Sequence, residues 1–338
     1  MTARSTERVY WLDALKAIGL FFVILGHTDG IAEWLRTYIH SFHIPLFFFI
    51  SGCLANRRDL AAPFSPVWRR HFRSLILPYF TFGFISYMVW LLAGRFYGRD
   101  VGLAVSPVRP LIGMLYGIGV NHWLRHNVSL WFLPALFSLR LIFYWLQRYC
   151  TGLGLAYGVI FLSLVGGTAT TVLPFRLPWG IEPACIGLMF YWAGYAGREQ
   201  FLLPEIITPQ WSWLLMLVSL AIQFAGINAN VRVDINSAQL GNQAAFFLAA
   251  FSGIVFWCLV AQALPRWKAL SLMARESMVI FSLHTLCFSI FTFTVIQWLP
   301  LEFKQDSAFV AGCYTIGSIT LLTSLAPKIR KWLPWLSR

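Results

Sequence analysis

Charge is what this sequence has least of: 12% of its 338 residues are Asp, Glu, Lys or Arg, against the roughly 25% that a soluble globular domain carries. Acid is the scarcer sign, with 13 Asp and Glu facing 26 Lys and Arg. The basic residues sit in short clusters between apolar runs and form no continuous stripe, which argues against a nucleic-acid partner despite the net charge of +13. The six cysteines lack any C-x-x-C spacing, so neither zinc nor thiol redox chemistry is indicated, and they read as small packing residues. No H-E-x-x-H is present. No polar stretch is long enough to form a soluble catalytic domain.

What is present is apolar sequence, 58% of the chain, arranged in runs near the roughly 20 residues that cross a bilayer as a helix. The pattern predicts an all-α polytopic membrane protein, a single membrane-embedded domain over 1–338. Its spans are expected near 9–28, 38–55, 72–93, 129–147, 153–173, 179–197, 211–227, 243–264, 277–299 and 306–325. With the N-terminus inside, 17 Lys and Arg fall on the cytoplasmic side and 8 outside, leaving Arg140 within a span. Cytoplasmic loops collect Lys and Arg, so this bias predicts about ten spans with both termini cytoplasmic. Asp13 and Lys16 interrupt the first apolar run, which argues against a cleaved leader. The longest external connection, about 93–128, carries His122 and His126 and is expected to fold over the outer mouth.

Ionisable groups inside a membrane are costly and therefore candidates for function. Asp13, Lys16 and His27 lie in the first span. Lys16 and His27 are eleven residues apart, about three turns plus some 20° and a rise of roughly 16 Å, so they share one face at opposite ends. The bland alternative has Lys16 snorkelling to headgroups and His27 closing the span at the interface. Asp13 and Lys16, three apart, are placed to pair.

The segment Trp11-Leu12-Asp13-Ala14-Leu15-Lys16-Ala17-Ile18, continuing to Leu25-Gly26-His27, resembles the opening span of the acyltransferase 3 family of membrane O-acyltransferases. That family's motif is Arg or Lys, ten residues, then His. Ser41-Phe42-His43-Ile44-Pro45-Leu46-Phe47-Phe48-Phe49-Ile50-Ser51-Gly52 resembles the branch that includes fucose 4-O-acetylase and exopolysaccharide acetyltransferases. Arg70-His71-Phe72-Arg73 leading to Pro78-Tyr79, Leu130-Trp131-Phe132-Leu133-Pro134, and Glu276-Ser277 running to Leu283-His284 are further points of similarity.

The resemblance implies an inner-membrane enzyme that moves an acetyl group from cytoplasmic acetyl-CoA, as co-substrate, to a hydroxyl of a glycan or lipid-linked precursor. His27 would be the general base, since imidazole has the suitable pKa, or would carry the acyl group itself. Lys16, held charged by Asp13, would face the donor. CoA is polyanionic, and Arg70 and Arg73, on one helical face at the cytoplasmic end, are the expected phosphate contacts. Arg57, Arg58 and Arg69 are read as serving topology and anionic lipids.

Four residues are candidates for substrate contact. His43 either binds substrate or supports His27; with His40 and His27 it could form an imidazole metal cluster, but acyl transfer needs no metal and none is expected. Trp131 either stacks on a sugar or belongs to the interfacial aromatic belt. Glu182 either meets an acceptor hydroxyl or pairs with Arg140 or Arg176. His284 is either catalytic support or a hydrogen-bonded core residue. A reading from another class, a glycan or small-solute transporter or flippase, fits the span count equally well.

Overall fold

The computed structural model describes residues 9–96, 103–201, 209–298 and 307–333. Among them the fold is helical throughout, with one isolated antiparallel bridge, Asp234 to Gln239. The helices are α1 (Tyr10–Gly26), α2 (Glu33–Cys53), α3 (Arg57–Ala61), α4 (Phe64–His71), α5 (Leu77–Leu92), α6 (Val108–Tyr116), α7 (Phe132–Tyr149), α8 (Gly152–Val172), α9 (Ile181–Phe201), α10 (Pro209–Asn228), α11 (Gln243–Ala263), α12 (Lys268–Trp298) and α13 (Ala308–Trp332). A π-helical turn, Phe72–Ile76, fuses α4 to α5, and a 3₁₀ turn, Val128–Trp131, leads into α7.

Seven of these helical stretches are long and apolar enough to cross a membrane: Phe64–Leu92, Val128–Tyr149, Gly152–Val172, Trp211–Asn228, Gln243–Ala263, Lys268–Thr294 and Ala308–Trp332. The expected ten are therefore met by seven on length and composition. The other three expected spans coincide with α1, α2 and α9, of which α1 has only 17 residues and α2 carries Glu33, Arg36, His40 and His43. Their position explains their polarity. α2 packs against α1, α9, α10 and α11, and α1 against α2, α11, α12 and α13. A helix surrounded by protein need not be apolar all round, whereas lipid-facing helices such as α8, α10 and α13 must be. Several helices also extend beyond their expected ends: α2 starts at Glu33 and α12 at Lys268, because each begins with a polar turn that hydropathy does not register.

The tightest crossing is between α2 and α9. A Cβ placed on Gly52 would lie 2.0 Å from the carbonyl oxygen of Tyr191, and one on Gly194 would lie 2.1 Å from that of Phe49. Glycine at both positions lets the two backbones touch, as small residues do where membrane helices cross closely. The connection after α5 packs back on the bundle: Tyr79 donates to the carbonyl of Met114 at 2.9 Å and Tyr87 to that of Pro107 at 3.0 Å. This fixes α6 against α5, and residues 125–127 of the loop that follows line a cavity together with His27.

Candidate active site

Two cavities lie at opposite ends of the bundle. The first, of about 370 Å³, is walled by the end of α1, the C-terminal half of α5, residues 125–128, α12 and α13. His27 is open to it. The loop that holds His27 is clamped by Arg36, whose guanidinium donates to the carbonyls of Gly26 at 2.9 Å and Thr28 at 3.1 Å, satisfying acceptors left over at the helix end.

Behind His27 stands Ser129, on the 3₁₀ turn before α7. Its hydroxyl lies 3.3 Å from Nε2 of His27 and 3.3 Å from Nε2 of His284, whose rings are 5.3 Å apart between centroids. The proton positions follow from the partners. Nδ1 of His284 faces the carbonyl of Phe281 at 2.7 Å, so it carries the hydrogen and Nε2 must accept. Ser129 then donates to His284, and its lone pair accepts from Nε2–H of His27. The opposite assignment would set two lone pairs against each other at His284. Under this assignment Nδ1 of His27 keeps its lone pair.

Asn127 ties the site together. Its amide donates to Ser86 of α5 at 3.1 Å and to the carbonyl of Ser282 on α12 at 2.8 Å. The Oδ1 atom of Asn127, both ring nitrogens of His126 and Oγ1 of Thr285 have no hydrogen-bond partner among the described residues, and all three side chains line the cavity. Burial pushes His126, in the loop before α7, down to about 4, so it is neutral near pH 7. A histidine whose folded pKa lies below its unfolded 6.5 contributes stability that is complete above 6.5 and is lost as pH falls toward 4. The apparent melting temperature should therefore drop between pH 6.5 and 4, by the equivalent of about 1–3 kcal/mol, and His126→Gln should flatten that stretch of the curve in a thermal-unfolding series.

The second cavity, of about 810 Å³, lies at the other end, where α3, α4 and the π turn meet α7 and α9. Arg69, Arg70, His71, Arg73 and Arg140 line it, together with Tyr144, Tyr191 and Tyr195. π turns inside helices often mark functional sites, and this one carries Arg73 and Ser74 into the lining. Asp59, buried, pairs with Arg70 and sits 3.9 Å from Nε2 of His71.

A family model described as an acyltransferase domain matches residues 9–327. The chain belongs to the acyltransferase 3 family. Neither the curated proteins nor the solved structures yield a match.

Within this acyltransferase, the structure brings His27 and His284 together and gathers Arg70 and Arg73 in the opposite cavity. The other predicted residues lie elsewhere. His43 is buried in α2 outside the first cavity, donating through Nδ1 to the Ile39 carbonyl, 2.6 Å away, with its ring edge against His40. Trp131 is buried against Phe132 and next to Gly119. Glu182 accepts from Arg176 at 3.0 Å and from the Leu177 amide at 2.8 Å, which is the pairing alternative. Arg176 also donates to the carbonyl of Asn236, so Glu182 anchors the loops around α9. Glu276, buried, pairs with Arg275 at 2.8 Å and with Arg330 of α13, an interhelical tie. Asp13 and Lys16 stand on α1 outside the linings of both cavities. Arg69, assigned to topology by its position in sequence, lines the second cavity.

Ser129, Asn127, Asp59 and Arg140 were not singled out as site residues by the sequence. Asn127 and Ser129 look like an ordinary polar start to an apolar helix, a role in which they make no capping bond here. Arg140 offered the stronger signal, as the one Lys or Arg that no loop could claim.

Proposed function

We propose that this acyltransferase moves an acetyl group from cytoplasmic acetyl-CoA to a hydroxyl of a glycan, exopolysaccharide or lipid-linked precursor at the His27 cavity. The observation that carries the reading is the pairing of a histidine-bearing cavity at one end of the bundle with an arginine-lined cavity at the other. In this reading all ten long helices cross the inner membrane, both termini are cytoplasmic, and the Arg end faces the cytoplasm, in keeping with the distribution of Lys and Arg.

The chemistry needs a base and a route. Nδ1 of His27 takes the proton as the acceptor oxygen attacks the thioester carbonyl; the carbon–sulfur bond breaks and the thiolate of CoA receives the proton. Ser129 and His284 hold the imidazole in the required tautomer. A sugar brings both donors and acceptors, which suits the unpartnered atoms of His126, Asn127 and Thr285. Lys16 lies on α1 between the two ends, where a cation favours an anionic donor, and Asp13 keeps it charged. No metal enters the scheme.

The test is direct: protein purified into nanodiscs, given acetyl-CoA labelled in the acetyl group and a panel of glycans, should transfer label to one of them or release CoA slowly by hydrolysis. Folded protein that neither binds acetyl-CoA nor releases CoA overturns the reading.

A further inference from the structure

Arg140 is a cation with no acid beside it among the described residues. It projects from the middle of α7, and its guanidinium bonds are to neutral groups: Nη2 and Nε to the hydroxyl of Ser51, at 2.9 and 3.3 Å, and Nη1 to Nδ1 of His71 at 3.4 Å. Among the described residues no carboxylate pairs with it. The single carboxylate lining the same cavity, Asp59, is already paired with Arg70. A guanidinium held at membrane depth beside further arginines is expensive unless an anion joins it.

Position along the helices supplies a ruler. From Arg140 to Ser129, beside His27, is eleven residues of α7 and its leading turn, roughly 17 Å. The arm of CoA between the pyrophosphate and the sulfur has about thirteen bonds, an extended reach of about 15 Å. Arg70 and Arg73 are sixteen and thirteen residues from Ser86 at the His27 cavity, roughly 24 and 20 Å along their own helix. A phosphate at Arg73 or Arg70 would leave the sulfur roughly 5 to 9 Å short of the His27 cavity, whereas one at Arg140 leaves a gap of about 2 Å, which the thioester's own carbon–sulfur bond spans.

On the reading given under Proposed function, we infer that Arg140 is a binding residue for the donor's pyrophosphate, with Arg70 and Arg73 taking the outlying 3′-phosphate. The acyl arm then runs through the layer where Phe132 packs on Phe48 and Phe281, between the two cavities, and those rings turn aside to admit it. Ser51 and His71 present the guanidinium to the cavity.

Full-length protein in nanodiscs, with Arg140→Gln and Arg140→Lys, tests this against two donors, acetyl-CoA and the phosphate-free acetyl-pantetheine. Arg140→Gln should weaken acetyl-CoA binding roughly 10- to 100-fold, the range for a charge-assisted bond, and leave kcat/KM for acetyl-pantetheine within about twofold. Arg140→Lys keeps the charge without the fork and should lose several-fold toward acetyl-CoA alone, so it serves if the glutamine variant does not fold. Equal losses toward both donors would assign Arg140 to structure and overturn the inference. Unchanged acetyl-CoA affinity in either variant, with a wild type that uses acetyl-CoA, overturns it while leaving the function intact. A wild type that ignores acetyl-CoA overturns both.

Discussion

His27→Ala should reduce acetyl transfer by about 10²- to 10⁴-fold, the span that removal of a positioned base commands, with acetyl-CoA affinity and protein yield held. The reason lies in where the ring sits. His27 lines the cavity, and its ring is held through Ser129 to His284 by a chain of bonds that ends on the Phe281 carbonyl. Arg125 is a cation, and His126 is neutral, with no hydrogen bond among the described residues to orient it. Ser129→Ala supplies the graded comparison. It frees the His27 tautomer without removing the ring, so kcat should fall about tenfold or more while KM for the acceptor stays near the wild-type value. Full activity in His27→Ala would remove the base from the mechanism, and a Ser129→Ala enzyme with unchanged kcat would remove the relay.

Gly52→Ala should be among the most destabilising single-methyl additions in the chain. Its new Cβ would fall 2.0 Å from the Tyr191 carbonyl oxygen, which is backbone and cannot rotate aside, so α2 and α9 must separate. Overpacking of this kind costs about 1–3 kcal/mol or more, and Gly52→Leu should leave no folded protein. Gly154→Ala is the control, since a methyl there meets nothing within 4 Å and the backbone is ordinary helix. Size-exclusion yield and thermal unfolding separate the variants. Any Gly52→Ala protein that survives should also bind donor less well, because Ser51, next in sequence, holds Arg140. Wild-type stability in Gly52→Ala would mean that the crossing is looser than the backbones indicate.

The sequence made the lipid-facing part of the fold easy to read and the central part hard. Helices such as α8, α10 and α11 advertise themselves by composition because one side must meet lipid. α1, α2 and α9 pack among other helices and keep Asp13, Lys16, His43 and Glu182; their apolar runs mark them as spans, but α1 is only 17 residues long and α2 carries Glu33 and Arg36, so they miss a test that joins length to apolarity. The candidate site was legible to the extent that it lies within one helix. The position of His27 at the end of α1 and the proximity of Arg70 and Arg73 are local arithmetic on a helical period, whereas Lys16, on the same helix as His27, lies outside both cavity linings.

The composition, the recurrence of apolar runs and the motif around His27 determined by themselves that this is an all-helical membrane protein of an acyltransferase family, because each is a property of one segment read against one solvent. Which polar groups meet across the bundle was decided only by the tertiary structure. Ser129 joins His27 to His284 over a sequence separation of more than a hundred residues, Arg176 claims Glu182, and Arg140 is left facing the Arg-lined cavity with no acid beside it among the described residues. Pairings of that kind depend on where helices distant in sequence cross, and in this chain the crossing is set by two glycines whose significance lies in the backbone they allow to approach.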